Sequence, residues 1–209
     1  MFADRRDAGR QLAQVVGHLK SPDTIVLGLP RGGVPVAAEV ARALEAPMDV
    51  IVVRKLGVPG HEELAMGAIG EGGVEVIHRE VVDPLGITPD EIVRVERREL
   101  VELDRRVKAF RRSGPAPDIE GRQVVIVDDG IATGSTARAA CQVARAQGAA
   151  RVVVAVPVAP QGWERRFSDV ADELIALHTP RRFGAIGAFY RDFRQTPDEE
   201  VTQLLAATP

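Results

Sequence analysis

Two adjacent carboxylates, Asp128 and Asp129, follow a run of branched apolar residues in the segment VVIVDDGIATGST, at positions 124–136. The run at 124–127 is typical of a buried parallel strand, because such a strand packs apolar residues on both faces. The two aspartates therefore lie where the strand leaves the core, at its carboxyl end. Ligands bind at this edge of open α/β sheets, so the pair predicts a binding or catalytic site.

The loop that follows the carboxylates has the composition of a phosphate-binding loop. It leads into a helix predicted to begin near Ser135, and the free N–H groups and dipole at a helix N-terminus favour an anion. Glycines let the backbone come close to a ligand, and hydroxyl side chains add donors. The residues predicted to bind a phosphate are Gly130, Ile131, Ala132, Thr133, Gly134, Ser135 and Thr136.

The carboxylates are not expected to contact the phosphate itself, since like charges repel. They should face a neutral, hydroxylated or cationic group attached to it. A ribose 5′-phosphate fits, with its phosphate in the loop and its 2′- and 3′-hydroxyls donating to Asp128 and Asp129. The chain has neither a G-x-x-x-x-G-K-[ST] loop nor a G-x-G-x-x-G pattern after its first strand, which argues against two other common phosphate motifs.

The surrounding elements alternate between short apolar strands and amphipathic helices. Strands predicted at 24–29 and 49–53 flank a helix at 34–44, and this strand–helix–strand unit is typical of a parallel sheet. The strand at 124–127 is likewise followed by a helix and a further apolar strand. The alternation predicts an α/β fold: an open, mostly parallel twisted sheet with helices on both faces, in a single domain over residues 1–209.

A long helix is predicted to begin after Thr88, which is placed as the N-cap of a capping box that Glu91 completes. Its charges alternate in sign, which favours an exposed face with ion pairs between successive turns. This interpretation covers Arg97, Arg98, Arg105 and Arg106. The helix is also the candidate interface of a possible homodimer.

The segment 124–136 resembles the signature of type I phosphoribosyltransferases, in which apolar residues, two acidic residues and a Thr/Gly/Ser loop follow one another. The sequence PRGG after the first strand is similar to the pyrophosphate-binding loop of that family. Arg31, Gly32 and Gly33 carry this second resemblance. Together the matches cover the sheet core, roughly residues 24–160, and imply the type I phosphoribosyltransferase fold with a small hood.

Two further segments take their expected roles from the resemblance. The glycine-rich stretch at 54–73 resembles the family's mobile lid, and little periodicity predicts an irregular loop there, with a short hairpin strand at 65–69. Arg54 and Lys55 at its start would help to bind pyrophosphate. The C-terminal segment 178–209, which ends in a predicted helix, would be the hood that selects the acceptor.

The resemblance implies a transferase that uses phosphoribosyl pyrophosphate (PRPP) with Mg²⁺, the metal being bound mainly through PRPP. Pyrophosphate leaves the anomeric carbon as a nitrogen nucleophile, usually of a base, arrives. By analogy with other glycosyl transfers, the transition state is expected to resemble an oxocarbenium ion. Asp128 and Asp129 would hold the ribose hydroxyls near the developing positive charge, and Arg31 would neutralise the departing pyrophosphate.

The acceptor is not named by the sequence. Phe189 and Tyr190 lie in an aromatic segment at 183–193 and are the candidates to line an acceptor pocket. Packing of the C-terminal segment against the sheet accounts for them equally well.

Two other functions stay open beside the transferase. A sensor that binds PRPP or a nucleotide without chemistry would keep the same loops, because a fold does not decide a function. A hydrolase that uses the aspartates as nucleophiles is less favoured, because no second cluster of metal ligands or general base accompanies them.

The composition limits the partners. The net charge of −3, from 27 basic and 30 acidic residues, gives no reason to expect nucleic acid or an anionic membrane as a partner. The N-terminus lacks the apolar core of a signal peptide, and no apolar run approaches a membrane span. A single cysteine excludes an intrachain disulfide. We therefore expect a cytoplasmic protein.

Overall fold

The structure is a computed structural model that describes residues 1–110 and 116–207. Its strands are β1 (Thr24–Gly28), β2 (Met48–Val50), β3 (Val53–Val58), β4 (His61–Gly70), β5 (Val74–Ile77), β6 (Gln123–Val127), β7 (Arg151–Val158) and β8 (Glu173–His178). Its α-helices are α1 (Arg5–Ala13), α2 (Gly33–Leu44), α3 (Arg79–Val82), α4 (Pro89–Phe110), α5 (Ser135–Ala146) and α6 (Asp198–Ala207). Short 3₁₀ turns lie at Gly17–Leu19, Trp163–Arg166 and Ile186–Phe189.

The main sheet has five strands in the order β2-β1-β6-β7-β8, and every neighbouring pair is parallel. Helix α2 connects β1 to β2, and α5 connects β6 to β7. Parallel neighbours need such crossover connections, which place helices on the faces of the sheet. The predicted open, mostly parallel sheet covered by helices is confirmed.

The two faces of the sheet are packed by alternate residues of the same strands. On β6, Val125 and Val127 join a core cluster that includes side chains of α1, α2, α4 and α6. Val124 and Ile126 join a second cluster that includes the inner face of α5. Successive strand residues point to opposite faces, and both faces are covered, so the apolar run before the carboxylates is needed in full.

The segment predicted as an irregular loop at 54–73 is instead part of an antiparallel sheet of β3, β4 and β5. The expected hairpin strand is present but is much longer, so the prediction of irregular structure is wrong. Two of its six glycines lie where neighbouring backbones come close: a Cβ on Gly67 would overlap the carbonyl oxygen of Val76, and one on Gly57 would lie 2.7 Å from that of Glu62. The lid role and the mobility of this segment stay predictions, as does the hood at 178–209.

Helix α4 begins as the capping box predicts. The backbone N–H of Thr88 donates to Glu91 Oε2 at 2.9 Å, and the backbone N–H of Glu91 donates to Thr88 Oγ1 at 3.3 Å. Leu103 and Phe110 are buried against the core, which fixes the rotation of the helix. Among the helices of the described ranges, none has the length and apolar character that crossing a membrane requires.

Candidate active site

The two loops singled out by sequence lie side by side because their strands are neighbours. β1 pairs with β6 so that Gly28 lies opposite Val127. One residue further, the backbone N–H of Leu29 donates to the carbonyl oxygen of Val127 at 2.9 Å. The segments 30–33 and 128–135 therefore leave the sheet together at its carboxyl edge.

The glycines of the PRGG loop are in contact with the carboxylate segment. A Cβ on Gly32 would overlap Asp129 Oδ2, and a Cβ on Gly33 would lie 2.5 Å from the carbonyl oxygen of Val127. The peptide bond between Pro30 and Arg31 is cis. Any larger residue at these two glycines would therefore push the loop away from the carboxylates.

Asp129 is buried, with 8% of its surface exposed, and it is paired with a residue that sequence reasoning did not select. Arg5 of α1 donates from Nε to Asp129 Oδ2 at 2.8 Å and from Nη1 to the carbonyl oxygen of Arg194 at 2.6 Å. Its guanidinium also lies 4.1 Å from the centre of the Phe193 ring. No pattern around Arg5 distinguishes it from the other charged residues of its amphipathic helix.

The two carboxyl groups resist ionising together. Burial raises the pKa of Asp128 well above its ordinary value, and the charge of Asp129 raises it further. Burial also raises the pKa of Asp129, while the hydrogen bond from Arg5 lowers it. Asp128 Oδ1 accepts the backbone N–H of Asp129 at 2.8 Å. Cationic or hydroxyl groups bound beside the pair would favour its charged form.

The predicted phosphate loop ends where α5 begins, at Ser135. Gly134 has a φ of +79°, in the left-handed region that favours glycine. Thr133, Gly134 and Ser135 line an open cavity of about 500 Å³. Ile131 differs from the rest of the loop: its side chain is buried and its N–H donates to the carbonyl oxygen of Val158 at 2.8 Å. That N–H is therefore already used within the fold.

The three predicted pyrophosphate cations have different surroundings. Arg31 faces a cavity beside Asp129, with its Nε 3.2 Å from Asp198 Oδ1. Arg54 is instead bound by Glu99 of α4, to which its Nη2 and Nε donate at 2.6 and 2.9 Å. A pyrophosphate role for Arg54 stays a prediction and requires this ion pair to open.

Lys55 points towards Glu63, whose carbonyl oxygen lies 3.4 Å and whose Oε2 lies 3.8 Å from its Nζ. Glu63 is itself one of the residues that line the open cavity at the phosphate loop. Lys55 is therefore close to the predicted phosphate end of the site rather than to Arg31.

The acceptor candidates are packed among other aromatic rings. Tyr190 is 6% exposed, and its hydroxyl donates to the carbonyl oxygen of Asp129 at 2.6 Å. Its ring lies between those of Phe2 and Phe193, with centres 5.2 and 5.0 Å away. Phe189 is stacked on Phe183 at 5.7 Å. Tyr190 thus packs in an aromatic cluster and holds the backbone of Asp129 by a hydrogen bond.

A second cavity, of about 380 Å³ and called the central cavity below, is lined by Asp129 and by residues of the PRGG loop. It lies between the PRGG loop, the start of α1, the C-terminal end of α4 and the segment before α6. Arg105 and Arg106 line it, although the sequence interpretation placed them on an exposed, ion-paired face. The ion pairs are present, both to Glu102, and the Arg105 side chain is 63% exposed, so the residues that line the cavity also belong to the predicted face.

Comparisons with known proteins show what the chain is similar to. The family model described as phosphoribosyl transferase domain matches residues 5–177. The "Putative phosphoribosyl transferase Rv0571c" of Mycobacterium tuberculosis is 56% identical over 205 residues, which are 98% of this chain and 46% of that protein. The chain thus spans about half the length of this curated relative.

Two other matches differ in extent. An adenine phosphoribosyltransferase of Kineococcus radiotolerans is 46% identical over 61 residues, 28% of this chain and 32% of that protein. The crystal structure of TT1426 from Thermus thermophilus superposes with a TM-score of 0.93 at 43% identity, covering 99% of this chain and 98% of that one.

Proposed function

The chain belongs to the phosphoribosyl transferase domain family, and from this premise we propose that it is a PRPP-dependent, Mg²⁺-requiring phosphoribosyltransferase. It would transfer the 5-phosphoribosyl group to a nitrogen acceptor, such as a base, and release pyrophosphate. The observation that carries the proposal is the acidic pair of half-buried Asp128 and buried Asp129, which lies beside the PRGG loop and directly before the Thr/Gly/Ser loop.

The site offers a separate set of groups to each part of PRPP. The backbone N–H groups at the start of α5 and the hydroxyls of Thr133 and Ser135 suit the 5′-phosphate. The carboxylates of Asp128 and Asp129 suit the ribose hydroxyls. The PRGG loop lines the cavity with Arg31 and Gly32, which suit the pyrophosphate.

The chemistry follows from where the charges lie. As the bond from the anomeric carbon to pyrophosphate breaks, positive charge grows on the sugar and negative charge on the leaving group. Carboxylates next to the sugar would stabilise the first, and arginines next to the leaving group would stabilise the second. The raised pKa of Asp128 in the free protein is expected to fall once ribose hydroxyls donate to it.

The donor set is suited to a magnesium ion that PRPP itself binds. Within residues 1–110 and 116–207, no three potential metal ligands form a cluster. The acidic pair supplies the hard oxygen atoms that Mg²⁺ prefers, usually from one or two carboxylates together with substrate phosphates. Mg²⁺ would neutralise charge on the pyrophosphate.

Binding of PRPP is the direct test. Isothermal titration with PRPP and Mg²⁺ should give a measurable Kd for the wild-type protein. In Asp128→Asn/Asp129→Asn the Kd should rise at least about tenfold, because each lost charged hydrogen bond is worth about 1.5–3 kcal/mol. Equal affinity in the two proteins would show that the acidic pair does not bind PRPP.

Release of pyrophosphate separates a transferase from a sensor. With PRPP and Mg²⁺ present, a panel of bases and small amines should include one acceptor that gives stoichiometric pyrophosphate and a phosphoribosylated product. A protein that binds PRPP tightly but releases no pyrophosphate with any acceptor would instead be a PRPP- or nucleotide-binding sensor.

A further inference from the structure

The central cavity carries more cationic side chains than the PRGG loop alone supplies. Its charged lining consists of four arginines and two aspartates: Arg5, Arg31, Arg105, Arg106, Asp129 and Asp198. Arg5 is already paired with Asp129 at 2.8 Å. The remaining arginines are one from the PRGG loop and two from α4, and Asp198 is the other carboxylate that lines the cavity with them.

The two arginines of α4 are held in place by a neighbour on their own helix. Arg105 donates to Glu102 twice, from Nε at 2.7 Å and from Nη2 at 2.8 Å, and Arg106 Nε donates to Glu102 Oε1 at 2.8 Å. These hydrogen bonds hold the pKa of Glu102 at about 2. One carboxylate thus orients two guanidinium groups, and each keeps further N–H donors for another anion.

Asp198, near the start of α6, is the carboxylate between the two sets of arginines. Its Oδ1 lies 3.2 Å from Arg31 Nε. The hydrogen bond to Glu102 is the main reason that the pKa of Arg105 is raised, and the charge of Asp198 adds to it. The Oδ1 oxygen is buried, yet it makes no hydrogen bond to any of the described residues. Such a carboxylate oxygen occupies the place of an anion without the hydrogen bonds that an anion bound there would receive.

We propose that Arg105 and Arg106 of α4, together with Arg31, bind the pyrophosphate group of PRPP, and that Asp198 competes with it for these arginines in the free protein. The inference rests on the proposed function and assigns its leaving-group site to a helix, in place of the segment at 54–73. The candidate cations of that segment, Arg54 and Lys55, are not among the residues that line the central cavity. A diphosphate presents several oxygens, which suit the forked donors of arginine.

The experiment measures binding of three probes: PRPP with Mg²⁺, pyrophosphate with Mg²⁺, and ribose 5-phosphate. Isothermal titration compares the wild-type protein with Arg105→Gln/Arg106→Gln and Asp198→Asn. The matched control is Arg97→Gln, which removes an exposed arginine of the same helix that is not among the residues lining the cavity. Circular dichroism and thermal melts confirm that each variant is folded.

The double variant should bind PRPP and pyrophosphate at least about tenfold more weakly, the lower limit for losing one hydrogen bond to a charged group. Its affinity for ribose 5-phosphate should stay unchanged, because that ligand lacks the diphosphate. Asp198→Asn should bind pyrophosphate several-fold more tightly, an increase that a merely structural role of Asp198 would not produce. Arg97→Gln should behave as wild type.

Two results overturn the inference in different ways. In the first, the wild-type protein binds PRPP, and the double variant and Asp198→Asn bind both PRPP and pyrophosphate with wild-type affinity. The arginines of α4 are then not the leaving-group site, and the proposed function stands. If the wild-type protein binds none of the three probes, the proposed function itself is wrong and the inference falls with it.

Discussion

Replacing Gly32 by alanine should damage the candidate site while leaving the backbone at that position unstrained. Gly32 has φ −63° and ψ −32°, which any residue adopts. On the backbone alone, alanine would stabilise the fold by about 0.4–1 kcal/mol, because it restricts the unfolded chain. The added Cβ, however, would overlap Asp129 Oδ2 and would come within 3.2 Å of Arg5 Nε.

The cost of this overlap follows from the contact that it breaks. The side chains of Arg5 and Asp129 are each 12% exposed, so their hydrogen bond is largely shielded from water. Such a bond between charged groups is worth about 1.5–3 kcal/mol. After the gain in the unfolded state is subtracted, Gly32→Ala should lower the free energy of unfolding by about 1–2 kcal/mol, and Tm by about 2–8 °C for a chain of this size.

PRPP binding should fall at least about tenfold in the same variant, because the displaced carboxylate no longer meets the sugar. Urea unfolding and isothermal titration measure the two effects. Gly17→Ala is the control: it lies in a 3₁₀ turn, and an added Cβ there would have nothing within 4 Å. The reasoning is refuted if Gly32→Ala unfolds like Gly17→Ala and binds PRPP like the wild-type protein.

Three further substitutions test the packing and the charges around the site. Tyr190→Phe should lower the free energy of unfolding by about 1–2 kcal/mol in urea, because it removes a buried hydroxyl that donates to the Asp129 carbonyl oxygen at 2.6 Å; an unchanged midpoint would contradict this. Asp128→Asn should be more stable than wild type at pH 7: the folded pKa of Asp128 is raised, so wild-type stability is lost as pH rises above the ordinary value of 3.8. The difference between the two proteins should shrink in melts taken towards pH 4, and a constant difference would exclude the titration of Asp128 as its cause. Arg54→Gln should cost about 1–3 kcal/mol because it leaves the largely buried Glu99 without its main partner; Arg54→Gln/Glu99→Gln should recover part of this loss in the same unfolding assay.

The part of the site that sequence predicted is the part built from local rules. Asp128 and Asp129 follow an apolar strand directly. Because ligands bind at the carboxyl ends of such strands, the sequence predicts that both residues belong to the site. Arg5 lies 124 residues away from Asp129 in the chain, and its helix shows only ordinary amphipathic spacing. Its contact with Asp129 depends on how α1 packs beside the sheet, which no local pattern contains.

Two features of the segment 54–73 depend on contacts that its local pattern does not show. Arg54 pairs with Glu99, 45 residues later in the chain, and its role in binding pyrophosphate stays a prediction. The glycines at 54–73 suggested an irregular loop when they were considered one at a time. In the folded chain, Gly67 instead allows β4 to lie close to Val76 of β5.

The pairing of β1 with β6 explains why two short motifs suffice to identify the family while the acceptor stays open. The parallel pairing along β1 and β6, which the hydrogen bond from the Leu29 N–H to the Val127 carbonyl oxygen extends, sets the PRGG loop and the acidic pair side by side. Any sequence that keeps these strands adjacent therefore keeps the proposed sites for ribose and pyrophosphate together. The remaining walls come from α1, α4 and the segment before α6, which reach the same cavity from distant parts of the chain. Because those elements pack from outside the sheet, they can change without disturbing the core, and they are where differences in acceptor and in pyrophosphate binding should arise.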